Sequence, residues 1–130
     1  MRFIPTKFHA PLDYIVGVAL IAAPWIFRFS EDTAATVVPI VLGIGLIAYS
    51  LVTNYELGVW KVVPMAVHNL FDIGAGALLA LSPWIFGFAD QGTNVWLPHV
   101  IVGLAAIFLG LTTKQAAGYR YGRVEHPATG

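Results

Sequence analysis

RFIPTKFHAPLDYIVGVALIAAPWIFRF, residues 2–29, and KVVPMAVHNLFDIGAGALLALSPWIFGF, residues 61–88, decide how this chain is built. A shift of 59 positions, which carries Pro5 onto Pro64, also carries His9 onto His68, Asp13 onto Asp72 and Gly17 onto Gly76. Under the same shift Pro24-Trp25-Ile26-Phe27 falls on Pro83-Trp84-Ile85-Phe86, and Phe29 on Phe88. Continued without gaps, the comparison matches Arg2–Thr53 with Lys61–Thr112 and adds Pro39 over Pro98. A self-match of this length marks a duplication. It divides the chain into a repeat at 2–53, a connector at 54–60, a second repeat at 61–112 and a tail at 113–130.

Working outward, each repeat reads as a pair of apolar helices. Tyr14 to Phe27, Thr33 to Thr53, Ile73 to Ala89 (apart from flanking charges) and Gln91 to Thr113 carry no charge. A spanning helix needs roughly 20 apolar residues, whereas a spanning strand would show alternating polarity over about ten. Four spans are therefore expected near Pro11–Phe29, Ala34–Thr53, Leu70–Phe88 and Val95–Thr113. Composition agrees: 58% of residues are hydrophobic and only 11% charged, with a mean hydropathy of +0.75. Soluble domains carry about a quarter charged residues. The expectation is a single all-α membrane domain over residues 1–130. Because each unit has two spans, both enter the bilayer from one side. Two parallel hairpins related by a pseudo-twofold axis along the membrane normal follow, not the inverted repeats of many transporters.

Seven basic and seven acidic residues give no net charge, which argues against nucleic acid as a partner. The absence of cysteine excludes disulfides, thiolate metal sites and a cysteine nucleophile. Arg2, Lys7, Lys61, Lys114, Arg120 and Arg123 fall on one side of a four-span topology and only Arg28 on the other. The positive-inside rule then places both termini in the cytoplasm and the chain in the cell (inner) membrane. A cleaved signal peptide is the competing reading of the N-terminus. Asp13 in its apolar core opposes that, and cleavage would discard half of a matched pair.

The sequence resembles the SPW-repeat family at Ser82-Pro83-Trp84, with Ala23-Pro24-Trp25 in the first copy. The resemblance implies a small multi-pass membrane protein with two helices per repeat, and it implies no activity. Ala23 departs from the motif, so no role for a serine hydroxyl transfers to the first half.

Two sets of residues stand out. Pro24-Trp25 and Ser82-Pro83-Trp84 read as a helix kink or stop with an interfacial tryptophan anchor, Ser82 replacing a hydrogen bond that proline removes. An aromatic wedge that binds a lipid or quinone is the other reading. His9/Asp13 and His68/Asp72 lie four apart, on one helix face in each copy. Ionisable groups in membrane segments raise a functional question by default. As packing glue they fasten helices one and three. As ligands they hold a divalent metal, or His9 and His68 hold haem b. As a relay they pass protons. His99 reads as an interfacial histidine near the start of the fourth helix, and His126 as part of a disordered tail.

No nucleophile–base triad or phosphate loop is present, and the loops are too short for a catalytic domain, so no enzyme is expected. The first expectation is a structural or accessory membrane protein. Its partners are the lipid bilayer and either a second copy in a homo-oligomer or a larger membrane complex. Gly17, Gly43, Gly45, Gly74, Gly76, Gly103 and Gly110 supply the small surfaces on which helices pack. A metal- or haem-binding protein, or a small proton or ion conductor, stands as the alternative.

Overall fold

Helix α1 runs over Thr6–Ile26, α2 over Thr33–Leu51, α3 over Met65–Ile85 and α4 over Thr93–Thr112. They come from a computed structural model that describes residues 2–115. The tail beyond Gln115, including His126, lies outside the described residues. All four helices are long and apolar enough to cross a membrane. The described residues contain no strand, only isolated bridges at Ile4–Thr113 and Thr53–Val63.

The ends of α1 and α3 show why hydropathy misplaces them. Both start five residues before the expected spans, directly after Pro5 and Pro64. Those prolines sit at φ −65° and −62° with ψ near 149° and 148°, an extended entry that the ring favours. In these first turns the polar side chains Thr6, His9 and His68 find partners inside the protein. Both helices also stop three residues short of Phe29 and Phe88. The Phe29 N–H reaches back to the Pro24 carbonyl and the Phe88 N–H to the Pro83 carbonyl, each at 2.8 Å. That closure requires left-handed backbone at Arg28 (φ 62°) and Gly87 (φ 79°). Glycine takes this conformation freely; arginine takes it at a cost.

Packing is closest within each hairpin. A Cβ added to Gly43 would lie 2.6 Å from the Gly17 carbonyl oxygen, and one on Gly103 would lie 2.5 Å from the Ala80 nitrogen and 2.6 Å from the Gly76 oxygen. Backbones touch there because no side chain intervenes. These contacts also correct the gapless alignment. Gly43 and Gly103 are 60 positions apart, as are Thr33 and Thr93, Ile47 and Ile107, and Thr53 and Thr113. Buried Ala35, Pro39, Ser50 and Thr53 correspond in the same way to buried Val95, His99, Gly110 and Thr113. One extra residue in the loop between α3 and α4 shifts the register, so Pro39 matches His99 rather than Pro98.

The hairpins are laced to each other at the end that holds the chain's N-terminus. Phe3 and Ile4 donate backbone N–H groups to Thr112, and Lys114 donates to Ile4. Val62 and Val63 donate in the same pattern to Val52, and Asn54 donates to Val63. Arg2 adds two bonds of 2.8 Å to the Gly110 and Thr113 carbonyls, at the end of α4 where cations are favoured. At the opposite end Ala23, Phe29, Ala35, Phe88 and Val95 form an apolar core. Outward-facing Ile15, Val18, Val41, Ile44, Leu104 and Phe108 leave an apolar exterior of the kind a bilayer covers.

A buried histidine–aspartate quartet as the candidate functional site

The first two turns of α1 and α3 bring four side chains to one point. His9 and His68 are wholly buried, and Asp13 and Asp72 retain 4% exposure. His9 Nε2 lies 2.9 Å from Asp13 Oδ1 and 2.9 Å from Asp72 Oδ2. His68 Nε2 lies 2.8 Å from Asp13 Oδ2 and 3.4 Å from Asp72 Oδ2. Each imidazole therefore faces the carboxylate of its own helix and that of the other. The two rings approach edge to face, with centroids 5.4 Å apart.

The other nitrogen of each ring meets a threonine from the opposite repeat. His9 Nδ1 is 2.6 Å from Thr113 Oγ1, and His68 Nδ1 is 2.7 Å from Thr53 Oγ1. The bond at Thr53 fixes a proton. Its hydroxyl donates to the Tyr49 carbonyl at 2.5 Å, and a hydroxyl has only one proton to give. It must accept from His68, so His68 Nδ1 carries a hydrogen. Its Nε2 faces the two carboxylates, as an N–H donor when the ring is protonated and as a bare lone pair when it is neutral.

Two tyrosines complete the shell. Tyr55 donates its hydroxyl to Asp13 Oδ2 at 2.7 Å, and Tyr49 donates to Asp72 Oδ1 at 2.5 Å. Tyr55, in the connector, is fully buried against Ala10 and Met65. Burial first, and then the negative Asp13 beside it, push its phenol well above the ordinary tyrosine range. Thr6 at the start of α1 bonds the Glu56 carboxylate at 2.8 and 3.0 Å, which holds the connector under the quartet.

The sequence-selected residues thus separate into two places. His9, Asp13, His68 and Asp72 converge. Pro24, Trp25, Ser82, Pro83 and Trp84 lie at the far end of the same helices. There the Ser82 hydroxyl donates to the Leu79 carbonyl at 2.7 Å, the carbonyl that Pro83 leaves without its usual donor. Ala23 offers no such hydroxyl in the first repeat. Trp25 and Trp84 are each 60% exposed. His99 is buried in the bundle: it is 2% exposed, with ring nitrogens 2.6 and 3.0 Å from the Val95 and Ala35 carbonyls, between Phe29 and Phe88. Haem b ligated by both His9 and His68 does not fit, because rings already in contact leave no space for a macrocycle between them.

Sequence reading missed Thr53, Thr113, Tyr49 and Tyr55. The threonines carried a signal, since they are a duplicated pair, but only at a spacing of 60. The tyrosines carried none: position 109 is leucine, position 115 is glutamine, and each acts once.

The family model for the SPW repeat domain matches residues 7–113, nearly the whole described chain. No curated protein and no solved structure matches.

Proposed function

We propose that this chain, which belongs to the SPW repeat domain family, is a structural or accessory protein of the cell membrane. It works by helix packing with a second copy or with a larger membrane complex. Both termini face the cytoplasm in this reading, on the charge asymmetry of the loops, and no chemistry is asked of the quartet beyond joining the hairpins.

The observation that carries the reading is where the quartet's bonds go. Every polar contact of His9, Asp13, His68 and Asp72 ends on another side chain of this chain, and most cross from one repeat to the other. Apolar helix faces gain little by leaving lipid for one another, so buried polar groups and small residues set how membrane helices meet. The clasp therefore presents a fixed apolar exterior. Gly45 and Gly74 leave open notches on it, with nothing within 4 Å of an added Cβ.

The chain has no cysteine, which makes the test direct. Gly45→Cys and Gly74→Cys, introduced one at a time, are oxidised in native membranes and resolved by mass on a denaturing gel. A disulfide-linked dimer supports self-association, and a heavier adduct with a different protein supports a complex. Monomer alone at both positions overturns the packing role.

A further inference from the structure

We propose that the quartet is a binding site for one divalent first-row transition metal ion, ligated by His9 Nε2, His68 Nε2, Asp13 and Asp72. The inference rests on the clasp described above and adds what holds it shut.

The donor set comes first. One ligand atom from each of the four residues lies within 4.8 Å of the other three. All four side chains are at least nine-tenths buried. In a tetrahedral site with metal–ligand bonds of about 2.0–2.2 Å, neighbouring donors stand roughly 3.3–3.6 Å apart. Of the nitrogen–oxygen separations, His68 to Asp72 at 3.4 Å has that spacing. The three at 2.8 to 2.9 Å would have to open by about 0.4–0.8 Å to admit an ion, with Asp13 turning a different oxygen to each imidazole.

Hydrogen bonding comes second. His9 Nε2, His68 Nε2 and Asp72 Oδ2 are buried and form no hydrogen bond of good geometry among the described residues. Their distances are short, so the failure is one of direction. His9 Nε2 stands 2.9 Å from oxygens of two different carboxylates, and a single N–H cannot point at both. A cation between the donors suits all of them at once.

The outer shell agrees. Metal-bound histidines characteristically spend their second nitrogen on an oxygen, and metal-bound carboxylates are held by further donors. Here Thr53 and Thr113 take the Nδ1 positions, and Tyr49 and Tyr55 donate to the carboxylates. With a hydrogen held on His68 Nδ1, the neutral ring presents its Nε2 lone pair to the ion, and binding displaces any Nε2 proton. Charge agrees: two neutral imidazoles and two carboxylates sum to −2, which a divalent ion cancels where net charge is costly, as two protonated imidazoles would in the metal-free chain.

Two nitrogens and two carboxylates suit zinc and its first-row neighbours, whereas magnesium and calcium prefer oxygen alone at higher coordination. Four protein ligands leave no open position, so the ion braces the hairpins and does not activate water.

The test uses the full chain, free of any affinity tag, purified in detergent from cells grown with and without added Co2+. Elemental analysis gives ions per chain, and visible ligand-field absorption reports tetrahedral cobalt. The expected result is one first-row ion per chain, replaced by cobalt with an intense visible band in the supplemented culture. His68→Ala abolishes both signals, Tyr55→Phe weakens affinity about 10- to 100-fold, and His126→Ala changes nothing. A helical, monodisperse wild-type chain without stoichiometric metal under either condition overturns the site, and needs no variant to fold. So does a folded His68→Ala chain that keeps its ion. Unfolding measurements then separate the two readings. A metal-free wild type whose quartet variants still lose stability keeps the clasp and removes the ion; unchanged stability removes both.

Discussion

The two ends of the bundle join the same hairpins by different means. At one end all four helices, or the residues just past them, send polar groups to a single cluster, and each group has a direction. At the other, Phe29, Phe88, Ala35 and Val95 form an apolar core, and the polar bonds between the repeats are single ones to backbone carbonyls, His99 to Ala35 and Asn94 to Phe27. Beside them a cavity of about 420 Å3, lined by Val16, Leu20, Phe27, Leu97 and Val102 among others, opens between α1 and α4. Apolar surfaces in lipid tolerate many relative positions, because the competing solvent is equally apolar. Polar groups tolerate one, because leaving any unpaired is expensive. The clasped end thus sets the arrangement and the apolar end accommodates it.

The most direct way to break this contrast is to cut each end in turn. Asp13→Ala removes a contact to both histidines and to Tyr55, and leaves those buried groups short of a partner. It should cost about 3–5 kcal/mol in reversible detergent unfolding. Phe29→Leu at the apolar end should cost no more than about 1.5 kcal/mol. Equal losses would show that direction counts for nothing here.

Tyr55→Phe sharpens the same contrast by removing only a donor. A hydrogen bond to a charged group contributes about 1.5–3 kcal/mol, so a loss in that range is expected. Alkaline titration adds a signature. The folded state raises the Tyr55 pKa, so the stability it contributes is fully present below the unfolded value of about 10 and declines as pH climbs above it. Unfolding midpoints measured across that range should fall less steeply in Tyr55→Phe than in the native chain.

Within the hairpins the contrast is between closed and open glycines. Gly103→Ala drives a Cβ against the Ala80 and Gly76 backbones and should cost about 1–3 kcal/mol. Gly45→Ala meets open space and should gain roughly 0.5–1 kcal/mol from helix propensity. Thermal unfolding of the two variants side by side checks both signs.

How far the sequence reaches follows from these particulars. Four apolar stretches and a duplicated His-x3-Asp pair were enough to name the helices and the quartet, because span length and helical period act within one segment. Hydropathy alone left out the first turns of α1 and α3, but Pro5 and Pro64, which suit a helix's first turn, mark where both helices begin, with the histidine one turn in and the aspartate two. Thr53 and Thr113 were hidden by one inserted residue, which moves the register of the second helices from 59 to 60. Tyr49 and Tyr55 break the repeat, so the comparison that found the quartet could not find the groups that hold it.

The smallest predicted effect lies in that broken symmetry. Pro83 leaves the Leu79 carbonyl without a backbone donor, and Ser82 supplies one; Pro24 does the same to Leu20, and Ala23 supplies none. The first repeat completes its helix regardless, with the Phe29 N–H closing on the Pro24 carbonyl as Phe88 closes on Pro83. The hydroxyl therefore adjusts stability and does not determine the turn. Ser82→Ala should lower stability by about 1 kcal/mol, and Ala23→Ser should raise it by no more than that. A double variant that exchanges the two residues should come out near neutral. A Ser82→Ala loss several times larger would mean that the serine bonds something beyond its own helix and adds to the His99 and Asn94 bonds that already join the repeats at this end.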